Sequence, residues 1–89
     1  MRIIPIWKTG MNLSQLTVGQ EAHVQAVTPQ GEGDAIAMRL LDLGFVPGEA
    51  VRCIALAPFG GDPILVQVGF TRFALRASEA VRIQITVAP

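Results

Sequence analysis

Residues 39–48, RLLDLGFVPG, mark the point where the chain changes from helix to strand. Gly44 stands directly after the last apolar residue of a helical pattern, where chains commonly take a left-handed conformation that glycine adopts without strain. Pro47 and Gly48 follow, and a proline–glycine pair prevents the helix from resuming. The sequence therefore predicts a structural turn at Gly44, Pro47 and Gly48.

The predicted helix runs back from this turn to Asp34. Ile36, Leu40 and Leu43 have the i, i+4, i+7 spacing of one apolar helix face. Asp34 precedes that face and belongs to the residue types that cap helix starts by accepting backbone N–H hydrogen bonds. No other segment has this period, so we expect a single helix.

Alternating segments on both sides of the helix predict strands. Residues 21–27, EAHVQAV, alternate apolar and polar side chains before the helix, and residues 81–87, VRIQITV, alternate most clearly. Further strands are expected at residues 50–57, 64–68 and 71–76. Short strands with one apolar face must curl to cover it and to protect their edges. We therefore expect a mainly β fold, a small SH3-like five-stranded antiparallel barrel with one helix inserted after the first strand; an OB-type barrel is the alternative.

Length and composition restrict the chain to one small domain. Its 89 residues allow a single core, and 51% apolar against 16% charged residues is typical of a folded globule. Seven basic and seven acidic side chains give zero formal charge, which argues against nucleic acid as a partner. One cysteine cannot form an internal disulfide, and no apolar stretch approaches the roughly 18 residues of a membrane span. We therefore expect a cytoplasmic protein without membrane insertion.

The N-terminal residues 1–10, MRIIPIWKTG, are expected to form a tail, either native or added upstream of the domain. Their apolar run is too short for a secretory signal and is interrupted by Pro5. The domain itself is expected to span residues 11–89.

No set of side chains in the sequence predicts catalysis. Cys53, the single cysteine, shares a strand face with Val51 and Ala55, which indicates a core position rather than a nucleophile. The glycine-rich loops lack the spacing of phosphate-binding motifs, and the carboxylates are scattered singly. We therefore expect no enzyme activity and no required cofactor.

Glu21 and His23 offer half of a metal site. They are two residues apart on one predicted strand, so they project from the same face with Cβ atoms about 7 Å apart. A structural zinc site takes four ligands, and no third protein ligand is expected beside this pair. Two interpretations stay open: His23 is an ordinary surface residue, or zinc or another divalent ion binds between two copies of the chain in a homodimer.

Aromatic and arginine side chains at turns and on outer strand faces are the candidates for contact with a protein partner. Phe59 lies in the tip of a glycine-rich loop and Phe70 in a hairpin turn, positions that favour exposure. Arg72 and Arg76 share the outer face of one predicted strand, and Arg82 is expected to extend this cationic patch from the next. Solvated surface is the alternative.

The order and spacing of four motifs resemble a known family. Residues 13–19 have the spacing LxxLxxG, and residues 39–48 have the pattern RLxDLGFxPG. AP-FGGDP-I follows at residues 57–64 and ALRASEAxxI at residues 74–83. In this order and spacing the motifs resemble the FeoA family over residues 11–87.

The resemblance implies a small cytoplasmic SH3-like protein of bacterial ferrous-iron uptake. Its implied partner is FeoB, the membrane permease that carries a G-protein-like domain, and its implied role is accessory or regulatory docking. The same barrel resembles the C-terminal domain of metal-dependent iron and manganese repressors, which is the alternative class. That alternative requires a DNA-binding region upstream, and only ten residues precede the matched segment.

Overall fold

Six antiparallel strands form one sheet in the computed structural model of the chain, which describes residues 8–58 and 60–87. The spatial order of the strands is β1-β6-β2-β3-β4-β5, so β1 and β5 lie at the two edges of the described sheet. The strands are β1 (Lys8–Asn12), β2 (Glu21–Val27), β3 (Ala50–Leu56), β4 (Ile64–Val68), β5 (Thr71–Leu75) and β6 (Ile83–Val87).

The first strand is the main difference from the sequence prediction, which has five strands and a helix after the first of them. β1 pairs with the C-terminal strand β6, with Asn12 opposite Gln84 and Met11 opposite Ile85. Its sequence, KTGMN, lacks alternation, and its register shifts between Lys8 and Met11. A strand with a bulge and no apolar period has no local signal, because its pairing depends on the far end of the chain. The predicted boundary at residue 11 falls inside this strand, and the helix follows the second strand.

The helical segments connect strands at the corners of the sheet. They are a short 3₁₀ helix (Leu13–Gln15), α1 (Ala35–Asp42) and α2 (Ala77–Ala80). One Asp34 carboxylate oxygen accepts hydrogen bonds from the backbone N–H groups of Ile36 and Ala37, at 3.1 and 3.3 Å, and so caps α1. Gly44 follows the helix with φ of +112°, in the region that glycine favours. α2 is a second α-helix, whereas the sequence predicts only one; its four residues are too few to show a helical period.

The core lies on one face of the sheet, where α1 packs against it. Leu40 of α1 and Phe45 after the helix are fully buried, and Cys53 is buried with them. Burial raises the pKa of the Cys53 thiol, which agrees with the predicted core position. Every strand from β2 to β6 contributes buried apolar side chains, among them Ala22, Val24, Val51, Ile64, Val66, Val68, Leu75, Ile83, Ile85 and Val87. The outward residues of these strands are therefore left to form the molecular surface.

Candidate functional site

Phe70 projects from the hairpin that joins β4 and β5. The hairpin pairs Val68 with Thr71, and Gly69 takes a φ of +57°, as a two-residue turn requires. Phe70 is fully exposed, so folding covers none of its apolar surface. A fully exposed phenylalanine at a hairpin tip suits contact with another molecule. Phe59, the second aromatic candidate, lies outside the described residues.

A polar row crosses the outer face of the sheet beside this hairpin. Strand register places Glu21, Arg52, Gln67 and Arg72 opposite one another on β2, β3, β4 and β5. Arg52 donates to a Glu21 carboxylate oxygen at 2.9 Å, and Arg72 Nε donates to Gln67 Oε1 at 3.2 Å. Arg72 is exposed, as its predicted role in contact requires.

Arg76 lies just past the end of β5, where it precedes α2. Its backbone N–H donates to one carboxylate oxygen of Glu79 at 3.0 Å. The other Glu79 oxygen lies 3.8 Å from the Arg39 guanidinium of α1. Arg76 and Arg39 are both exposed, so the structure brings together two arginines that the alternating strand pattern does not relate. The sequence feature that could have identified Arg39 as a surface residue is its position on the polar face of the predicted helix.

Arg82 corrects the predicted cationic patch. It lies in a turn before β6, and only 8% of it is exposed. Its Nε donates to an Asp34 carboxylate oxygen at 2.7 Å, and its Nη1 donates to the backbone carbonyl of Ser78. Arg82 is therefore a structural residue that fastens the start of α1 to the α2 corner, and it cannot serve as an exposed contact residue.

The same contacts shift the titration of Asp34. The hydrogen bond from Arg82 is the largest cause and the backbone N–H of Gln30, at 2.9 Å, is the second; together they lower the pKa of Asp34 to about 2. Both donors stabilise the charged carboxylate, which is the form that caps the helix. At neutral pH the ionised Asp34 carboxylate therefore stabilises this corner.

Glu21 and His23 lie on β2 as predicted, but they face different surroundings. Glu21 forms its ion pair with Arg52 and lines a surface cavity with Arg52 and Gln67. His23 is half-buried and lines another cavity with Gly48 and Thr86. Among residues 8–58 and 60–87, no three His, Cys, Asp or Glu side chains lie close enough together to hold a metal ion. A metal at this pair must therefore compete with Arg52, and the shared zinc site stays a prediction.

A model of the FeoA domain matches residues 11–87 of the chain. The chain belongs to the FeoA family. FeoA proteins are small accessory proteins of ferrous-iron transport, so the predicted family and its process are confirmed. Among curated proteins, none matches the chain.

Solved structures of FeoA proteins support the same assignment. Stenotrophomonas maltophilia FeoA, solved in complex with zinc, is 55% identical over 85% of this chain and 89% of its own, with a TM-score of 0.80. It is described as a procaryotic SH3 domain protein and as a candidate activating factor of bacterial ferrous iron transport. Iron(II) transport protein A of Clostridium thermocellum is 36% identical over 86% of this chain and 45% of its own, with a TM-score of 0.75. The mainly β, SH3-like fold class is therefore confirmed.

The repressor resemblance extends to the fold alone. A manganese-dependent transcriptional repressor is 17% identical over 98% of this FeoA-family chain and 44% of its own, with a TM-score of 0.71. IdeR of T. acidophilum is 20% identical over 97% of this chain and 37% of its own, with the same TM-score of 0.71.

In the described part of the chain, no helix has the length and apolar character needed to cross a bilayer.

Proposed function

We propose that this FeoA-family chain is a non-enzymatic accessory module of ferrous-iron uptake that acts in the cytoplasm by docking onto the FeoB permease at its G-protein-like domain. The observation that carries the proposal is the family match over residues 11–87. A docking role needs surface groups that folding does not consume. Phe70, Arg72 and Arg76 are exposed and meet that need.

Phe70 is the contact residue with the strongest physical argument. Covering an exposed phenylalanine with a partner surface lowers the free energy of the complex, and aromatic residues dominate the energetics of many interfaces. It lies in the turn of a hydrogen-bonded two-stranded hairpin, so binding would cost little backbone ordering. Arg72 on the same hairpin would add charge recognition at the rim of the contact.

The test is a binding assay between the purified protein and the soluble G-protein-like domain of FeoB, without nucleotide, with GDP and with a non-hydrolysable GTP analogue. We expect saturable binding in at least one nucleotide state. For Phe70→Ala we expect a dissociation constant at least tenfold higher than that of the wild type. Val18→Ala is the matched control, because Val18 is also an exposed apolar residue, on a different turn. Absence of binding in all three states would overturn the proposal.

A cellular assay extends the test to the residues that the binding assay does not resolve. In cells that lack their own FeoA, Phe59→Ala and Arg76→Ala are expected to reduce ferrous-iron uptake while the purified variants keep their thermal unfolding midpoints. Full uptake by both variants would move the docking face away from these two positions.

A further inference from the structure

Two neighbouring depressions lie on the outer surface where α1, β5 and α2 approach the connection between β3 and β4. Their volumes are about 510 and about 220 Å³, and they have Pro63 and Ala74 as common wall residues. Because the two lie side by side, a single extended ligand can contact both. We call this pair of depressions the outer groove.

One arm of the outer groove is apolar. Strand register places Ala55, Leu65 and Ala74 in one row on the outer face of β3, β4 and β5. Leu56, at the end of β3, lines the same arm and is 48% exposed. An aliphatic side chain laid along this row would remove apolar surface from water on both partners, which is a favourable change.

The other arm carries the positive charge. Arg39, Arg76 and Ser78 line it, with Ile36 as an apolar neighbour. Glu79 is the only acidic residue among the residues that line this arm, and its side chain is 14% exposed against 62% for Arg39.

The Arg76 guanidinium takes no part in the ion pairs of this arm. One Glu79 oxygen accepts from the backbone N–H of Arg76, and the other lies 3.8 Å from the Arg39 guanidinium. Asp62, a second carboxylate next to this arm, accepts from the backbone N–H of Ala77 at 3.0 Å. In the described part of the chain, the ion pairs within 4 Å do not include the Arg76 guanidinium. An external carboxylate can therefore pair with Arg76 without displacing an internal one.

We infer that the outer groove binds an exposed segment of a partner protein in which an aliphatic side chain lies next to a carboxylate, an inference that rests on the proposed docking function. The aliphatic group covers Leu65 and Ala74, and the carboxylate lies between Arg39 and Arg76. Guanidinium groups bind carboxylates through paired N–H donors, which gives direction as well as attraction. A free inorganic anion would leave the apolar arm uncovered, so the pairing of the two arms favours a peptide.

The experiment titrates the isotope-labelled full chain with three short peptides and follows backbone amide resonances by NMR. The probes are acetyl-ELELE-amide, acetyl-EGEGE-amide and acetyl-KLKLK-amide. We expect ELELE to shift the amides of Ile36, Arg39, Ala74 and Ser78 saturably. We expect EGEGE to bind at least tenfold more weakly because it lacks the aliphatic groups, and KLKLK to produce no saturable shift. Equal binding of ELELE and EGEGE, or shifts that lie elsewhere, would overturn the inference.

Matched variants assign the binding to the groove. Arg39→Gln combined with Arg76→Gln removes both charges while keeping polar side chains of similar reach, and we expect at least tenfold weaker binding of ELELE. Arg52→Gln is the control, because Arg52 is an exposed arginine on β3 that pairs with Glu21 and does not line the groove. Unchanged binding by the double variant, or an equal loss with Arg52→Gln, would contradict the assignment. Thermal unfolding of each variant checks that the fold is kept.

The two proposals fail in different ways. The peptide titration uses the isolated chain, so it stands without FeoB. If the wild-type chain and the Arg39→Gln, Arg76→Gln variant bind the G-protein-like domain equally, docking stands and the groove inference is overturned. If neither binds that domain while ELELE still binds the wild-type groove, the groove stands and the FeoB proposal is overturned.

Discussion

Phenylalanine and arginine have opposite roles in two regions of this molecule. The helix corner comprises Asp34 before α1, Phe45 after it and Arg82, which pairs with Asp34. There Phe45 is fully buried and Arg82 is 8% exposed. On the outer surface, Phe70 is fully exposed and Arg76 is exposed beside α2. The residue types are the same, so composition alone does not separate a group that holds the fold from one that is available to a partner.

Side chains of the helix corner stabilise the fold, whereas side chains of the outer surface are available to stabilise a complex. Phe45 contributes to folding because its ring is removed from water, and Arg82 contributes because its Nε and Nη1 donate to Asp34 and Ser78. Phe70 and Arg76 remain in water after folding, so their interactions can contribute to binding. Substitutions in the helix corner should therefore lower the free energy of unfolding, whereas substitutions on the outer surface should leave it almost unchanged.

The largest expected effect separates the two phenylalanines. Phe45→Ala removes a fully buried ring that packs 5.9 Å, centre to centre, from Phe73, and should lower the free energy of unfolding by about 3–5 kcal/mol. Phe70→Ala should change it by less than about 0.5 kcal/mol, since no burial is lost. Urea unfolding of both variants measures the contrast. Similar losses for the two would break the comparison.

A smaller effect is expected at the exit of α1. Gly44 has φ of +112°, and a β-branched residue there is strained even though a Cβ would meet no neighbour within 4 Å. Gly44→Val should lower the free energy of unfolding by about 1–2 kcal/mol. Gly31→Val is the control, because Gly31 is also open to its surroundings and lacks a positive φ. An unchanged melting temperature for Gly44→Val would refute the backbone argument.

Acid titration tests the ion pair of the helix corner. The pKa of Asp34 falls from 3.8 to about 2 on folding, chiefly through the Arg82 hydrogen bond, so folding favours the ionised carboxylate. Its contribution is complete above about pH 4 and is lost as the pH falls toward about 2, because the unfolded chain takes up the proton first. Asp34→Asn should lower stability near neutral pH, and its deficit should shrink over that acid window.

Urea unfolding at several pH values provides the measurement for this pair. Asp42→Asn, at the exposed end of the same helix, serves as the control and should keep the acid-sensitive component due to Asp34. A wild-type minus Asp34→Asn difference that stays constant from about pH 5 to about pH 2 would show that Arg82 does not act through the carboxylate charge.

The smallest expected effect concerns zinc at Glu21 and His23. Glu21 already pairs with Arg52 at 2.9 Å, so we expect only weak, zinc-dependent association of two chains. Size-exclusion chromatography with increasing zinc should show this association in the wild type, and His23→Ala should abolish it. Gln25→Ala, at the next outward position of the same strand, should associate as the wild type does. Association that ignores zinc, or that survives His23→Ala, would leave His23 as an ordinary surface residue.

The candidate site was predictable where a residue's role depends on its immediate neighbours. The turn at Gly69 and Phe70 follows from two flanking strands and a glycine, and exposure of the ring follows from the turn. The closeness of Arg39 and Arg76 was not predictable. Arg39 lies on α1 and Arg76 follows β5, and no local sequence pattern relates these two elements. Their proximity depends on how α1 packs over the sheet.

The sequence by itself determined the order of strands β2 to β6, the capped helix between β2 and β3, the buried position of Cys53 and the family. These features depend on periodicity, capping and turn chemistry among residues close in the chain. Only the tertiary structure decided that residues 8–12 join the sheet and that Arg82 turns inward. Each depends on a partner far along the chain: β1 on β6, and Arg82 on Asp34, 48 positions away. A charged residue in an alternating segment is placed outward by its local pattern, but a buried carboxylate can reverse that placement because it compensates the lost hydration of the guanidinium.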